Sequence, residues 1–90
     1  MSGVSAADVK KFIVSHLSKE LESSGRMLNG DPPDDFDLLQ EGIIDSLGMF
    51  NLTAELEEHF GQEIDFEGLD PEEMTIIGPL CRYVERTLRQ

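Results

Sequence analysis

One serine in this chain of 90 residues stands where a hydroxyl could carry a phosphate ester. Ser46 follows the run Gly42-Ile43-Ile44-Asp45, and the residues after it, Met49, Leu52, Thr53, Leu56 and Phe60, recur at three- and four-residue spacings. That is the pattern of a helix with one buried face. Asp45 and Ser46 are both good helix caps, so the serine is predicted at, or one residue inside, a helix N-terminus. The first backbone N–H groups of a helix lack intrahelical acceptors and the macrodipole is positive there. An anionic ester on the hydroxyl is therefore stabilised where it stands. An Asp-Ser pair before an apolar residue is also what a plain cap looks like, so the neighbours of Ser46 carry the distinction.

Other residue types with chemistry to offer have quieter uses. A catalytic serine needs a base and an oxyanion pocket, and the two histidines, His16 and His59, each fall on or beside the apolar face of a predicted helix. A partly buried or capping role suits them. The acidic loop Asp31-Pro32-Pro33-Asp34-Asp35-Phe36-Asp37 lacks the alternating ligands, central glycine and closing glutamate of a calcium loop. Met49 and Phe50 are expected in the core rather than in a binding stripe. One cysteine cannot form an internal disulfide, so Cys81 is expected to pack as a small apolar residue in a reducing compartment, and a cytoplasmic protein fits.

The elements that must position Ser46 can be read from caps and periodicity. Ser5 and Asp8 form a variant capping box, and Val9, Phe12, Ile13, Leu17 and Leu21 repeat at helical spacing. The first helix is predicted to run to about Glu22 and to stop at Ser23-Ser24-Gly25. A loop of roughly two dozen residues follows, a length that in a compact domain usually has a functional reason. It contains Asn29-Gly30 and Asp31-Pro32-Pro33, and Met27, Leu28, Phe36, Leu38, Leu39 and Ile43 are expected to pin it to the helices. The helix at Ser46 should end near Phe60-Gly61, where glycine permits a left-handed turn. Ile64 and Phe66 then anchor an extended stretch. Asp70-Pro71-Glu72-Glu73 opens a helix of a turn or so, with aspartate as cap and proline first.

The last helix carries Ile76, Leu80, Tyr83, Val84 and Leu88 on one face, with Arg82, Arg86 and Arg89 toward its C-terminal end. Its start is placed either after Thr75 as cap or at Gly78 with Pro79 first. With no internal repeat and no convincing strand, the expectation is all-α: a bundle of three main helices and one short one, with a long loop between the first two. Phe12, Ile13, Leu17, Leu52, Leu56, Phe60, Leu80 and Val84 are its expected core. One domain is expected over residues 1–90, its core over about 5–89.

Charge is unevenly placed. The net charge is −12, yet residues 27 to 81 hold 15 of the 19 carboxylates and no lysine or arginine. Such a stretch repels nucleic acid phosphates and anionic lipids and speeds encounter with basic protein surfaces, although a charge run is also an ordinary means of staying soluble. The first residues lack a basic region followed by an apolar stretch, and no apolar run is long enough to span a bilayer, so neither secretion nor membrane insertion is expected.

From about Phe36 to Val84 the chain resembles the acyl carrier protein family, whose hallmark is Asp-Ser-Leu at the start of the second helix. The resemblance rests on Asp45-Ser46-Leu47, preceded by Leu38-Leu39 and Glu41-Gly42-Ile43-Ile44, and followed by Leu56-Glu57-Glu58-His59-Phe60-Gly61 and Glu63-Ile64. It implies that Ser46 is the attachment point of 4′-phosphopantetheine, placed there by a phosphopantetheinyl transferase. The implied protein is a monomer that catalyses no reaction. It holds cargo as a thioester and presents it to a loading ligase and to downstream transferases with basic patches. The same resemblance makes the helix at Ser46 the docking element, with Asp45, Leu47, Gly48, Asn51 and Glu55, and also Glu57 and Glu58, as candidate contacts. Fatty-acid synthesis carriers have acids where this chain has Gly48 and Asn51. Here the chain looks more like stand-alone aminoacyl or D-alanyl carriers and peptidyl carrier domains. Acyl and aminoacyl cargo both fit, and an acidic helical adaptor without a prosthetic group is the alternative from another class.

Overall fold

The structure, a computed structural model, describes residues 4–28, 30 and 32–88. Met1 to Gly3, Asn29, Asp31, Arg89 and Gln90 lie outside the described residues, and with them the expected roles of Arg89 and of the Asn29 and Asp31 turn signals. The described residues form α1 (Ala6–Ser23), α2 (Ser46–Phe60), a 3₁₀ turn (Phe66–Gly68), α3 (Pro71–Met74) and α4 (Ile77–Leu88). This is a small all-α bundle. Its only β feature among the described residues is an isolated antiparallel bridge between Asp37 and Ile76.

Each helix begins where its local chemistry dictates, except one. Ser5 Oγ accepts from the Asp8 N–H at 3.2 Å, and Asp8 Oδ2 accepts from the Ser5 N–H at 3.1 Å, completing the capping box of α1. Facing the Asp8 carboxyl, the Ser5 backbone N–H first and the Ser5 side chain second hold it below its ordinary pKa. Asp70 accepts from the Glu72 N–H at 2.9 Å, with Pro71 opening α3. At the far end of α2, Gly61 takes a left-handed φ of 67°, and the N–H groups of Gly61 and Gln62 both return to the Glu57 carbonyl.

The exception is α4. It begins at Ile77, one residue before the expected glycine, and backbone carbonyls of the loop take its first N–H groups. The Ile77 N–H donates to the Phe36 carbonyl at 3.1 Å and the Gly78 N–H to the Asp34 carbonyl at 2.7 Å. Pro79, third in the helix, has no N–H to satisfy. Thr75 instead gives its carbonyl to the Leu38 N–H at 2.8 Å. The long loop is thus stitched by its backbone to the start of α4.

The core is shared by every main helix and by that loop. Val9, Ile13 and Leu17 of α1, Leu38 of the loop, Leu52 and Leu56 of α2, and Ile77, Leu80 and Val84 of α4 are fully buried, with Ile64 and Cys81 beside them. Each such Leu, Ile or Val contributes about 1.5–3 kcal/mol of burial. Phe12 and Phe60, expected in the core, are only partly buried and pack against its edge. His59 is exposed and stacks on Phe12 with ring centroids 4.2 Å apart. His16 is half-buried, its Nε2 3.5 Å from Glu20 Oε1. Phe66 opens the 3₁₀ turn rather than continuing an extended stretch, and the Tyr83 hydroxyl donates to the Asp65 carbonyl beside it. Burial pushes the Cys81 thiol up to about 11, so it stays protonated near neutral pH and serves as packing.

Candidate functional site

Ser46 is the first residue of α2 and is exposed. Its position follows from Asp45, whose extended backbone precedes the helix and whose Oδ1 accepts from the Gly48 N–H at 2.8 Å. The Asp45 carbonyl takes the Met49 N–H at 2.9 Å, the first helical bond. The cap therefore falls to Asp45, which leaves the serine hydroxyl free of that duty.

The approach to the serine is a turn built around Asp37 and Leu38. Asp37 Oδ1 accepts from the N–H groups of Leu39 and Gln40 at 3.0 and 3.1 Å. The Gln40 N–H, then the Thr75 side chain and the Leu39 N–H, hold the Asp37 carboxyl below its ordinary range. Leu38 is fully buried, and its carbonyl accepts from Ile43 and Ile44 at 3.0 and 3.3 Å. Between them Gly42 adopts a φ of 73°, which glycine takes at no steric cost.

Two acids of the loop, Asp37 and Asp34, have partners within the protein. Asp34 lies 3.7 Å from Lys10 Nζ and 3.8 Å from Arg82 Nη1. Among the described residues no group of three His, Cys, Asp or Glu side chains could hold a metal ion.

The outer face of α2 differs from expectation at one position above all. Phe50, expected in the core, is 70% exposed, and Leu47 is 67% exposed. Met49 alone of the Met-Phe pair turns inward. Leu47, Phe50, Asn51, Ala54, Glu55 and Glu58 share the solvent face, apolar near Ser46 and acidic farther along. Gly48 is not on that face. It is half-buried, and a Cβ there would stand 3.0 Å from Ile44 Cβ and 3.3 Å from Asp45 Oδ1, so glycine leaves room for the cap. Glu57 is half-buried too, and its Oε2 accepts from the Ile64 N–H at 2.7 Å, a bond that fastens the segment after α2. Met27, expected to pin the loop, is 81% exposed. Sequence reasoning passed over Arg26, whose guanidinium contacts the Gly42 carbonyl; its place at the end of an acidic sequence block was the available signal.

No family model matches the chain, and no curated protein or solved structure matches it either. Among the described residues no helix is long and apolar enough to cross a membrane.

Proposed function

We propose that this chain is a carrier protein that bears 4′-phosphopantetheine on Ser46 and presents an acyl or aminoacyl group to partner enzymes. The observation that carries the reading is the exposed serine at the first position of α2, with its cap supplied by the preceding aspartate. The residues present suit the group. A phosphodiester on Ser46 would sit at the positive end of a four-turn helix, a placement worth about 0.3–1 kcal/mol for an anion at an exposed end. The nearest carboxylate, Asp45, is turned to the Gly48 N–H. When bound, the group supplies a thiol on a long arm that holds cargo as a thioester. The chain itself supplies an anchored hydroxyl, an open approach, and a face with apolar Leu47 and Phe50 beside Glu55 and Glu58.

In this reading the protein is the substrate of a phosphopantetheinyl transferase and performs no catalysis. Its further partners are a loading ligase and transferases whose docking patches are basic. Co-expression with a promiscuous phosphopantetheinyl transferase, followed by intact mass measurement, tests this. One covalent phosphopantetheinyl addition is expected, absent in Ser46→Ala. An unchanged mass, with a partner retained equally well by Ser46→Ala, would instead favour the adaptor built on the same apolar and acidic face.

A further inference from the structure

We infer that Arg26 is a positioning residue for Ser46, acting through the Gly42 carbonyl. The inference rests on the carrier reading for its chemical consequence, but its structural half stands independently.

The side chain starts from a fixed point. At the end of α1 the Gly25 N–H donates to the Glu22 carbonyl at 3.0 Å and the Arg26 N–H to the Leu21 carbonyl at 2.7 Å, with Gly25 at a φ of 76°. These are the paired bonds of a Schellman ending. From there Arg26 Nη1 and Nη2 each reach the Gly42 carbonyl at 3.4 Å, across 16 residues of sequence. The contact is long and exposed, yet it is two-pronged, a geometry the planar guanidinium favours.

Its target is the one glycine between Phe36 and Ser46, whose own N–H donates to the Leu39 carbonyl at 3.1 Å. The turn is held from the inside, where the Leu38 N–H meets the Thr75 carbonyl at 2.8 Å and the Leu38 carbonyl takes Ile43 and Ile44. Gly42 lies on the outer side, at a positive φ and with nothing within 4 Å of where a Cβ would stand. Glycine has the most backbone freedom to lose, so an outside tether has the most to restrain there. Arg26 is the only lysine or arginine between Lys19 and Arg82. It also borders a hollow of about 490 Å³ between α1, the turn and the start of α2, whose lining includes Glu20, Gly42 and Asp45. Opening this tether would let Gly42 to Asp45 swing and would lower the fraction of molecules that present Ser46 in one orientation.

Arg26→Met keeps the stem and removes the donors; Arg26→Lys keeps a donor and the charge. Backbone hydrogen exchange at Ile43 and Ile44 should quicken about threefold to tenfold in Arg26→Met, the range expected for one exposed hydrogen bond. Exchange at Leu52 and Leu56, and the melting temperature, should hold, and Arg26→Lys should recover part of the protection. With a phosphopantetheinyl transferase and coenzyme A, Arg26→Met should raise KM by a similar factor while kcat holds, since only the competent fraction binds productively. Unchanged exchange at Ile43 and Ile44 overturns the inference, as does acceleration at all four amides with a lower melting temperature, which would make Arg26 a general support. Faster exchange with unaltered KM overturns its role in presentation. Failure of the wild-type chain to be modified at all is a different result: it defeats the carrier reading, and with it the role of Arg26 in esterification.

Discussion

Two helix starts in this molecule are served by the same loop in opposite ways. At α4 the loop lends its backbone: the Asp34 and Phe36 carbonyls take the Gly78 and Ile77 N–H groups, and Gly78 is buried beneath Asp34. At α2 the loop ends in a single side-chain cap, Asp45, and leaves Ser46 exposed. A helix N-terminus closed by backbone from elsewhere in the fold is a fixed joint, with no room for a ligand. One closed locally by one carboxylate keeps its positive end accessible. The difference separates what holds the bundle together from what it offers outward.

The sharpest way to break the comparison is at the closed joint. A Cβ on Gly78 would stand 2.9 Å from both the Cβ and the carbonyl oxygen of Asp34, so backbone must move to admit it. Gly78→Ala is expected to destabilise the fold by about 2–3 kcal/mol, the upper range for overpacking a tight site, despite alanine's better helix propensity. Denaturant unfolding would measure it. A stability equal to wild type would mean that the loop and α4 are not in register as described.

That joint is also where the sequence was least legible. Local signals located the other helix starts, because Ser5 with Asp8, Asp45, and Asp70 with Pro71 each act within a few residues of themselves. The cap of α4 is made by carbonyls from a distant segment, and a carbonyl leaves no trace in residue type. Thr75 and Gly78 therefore carry the stronger local start signals, yet the helix begins at Ile77. Phe50 failed for another reason. Met49, Phe50, Leu52 and Thr53 crowd one and a half turns with apolar or compatible residues, so spacing alone could not say which face Phe50 takes. The place of Ser46 was legible because it depends on the capping chemistry of Asp45 next to it.

At the open start the expected effect is smaller and local. Asp45→Ala removes the bond to the Gly48 N–H and should cost about 1 kcal/mol, the usual value of an N-cap, whereas Asp45→Asn should stay within a few tenths. The loss should show in hydrogen exchange at Gly48 and Met49, with the amides at Ile77 and Leu80 untouched. Equal acceleration at both helix starts would show that they are coupled, against the separation drawn here.

The smallest expected effect is the most discriminating, because it divides one residue between two roles. The Asp34 carboxylate lies near both Lys10 and Arg82, an arrangement that invites the conclusion that ion pairing holds the loop to α1 and α4. Its side chain is exposed, however, and the two distances, 3.7 and 3.8 Å, are those of loose contacts. Exposed pairs of this kind contribute about 0–1 kcal/mol and less as salt rises. The Asp34 carbonyl, by contrast, accepts from the buried Gly78 at 2.7 Å, and no side-chain substitution removes it. Asp34→Ala should therefore lower stability by about 0.5 kcal/mol at low ionic strength, with the difference fading in high salt. A larger loss that persists in high salt would mean that the carboxylate, not the carbonyl, fastens the loop, and that the closed joint is a side-chain device like its open counterpart.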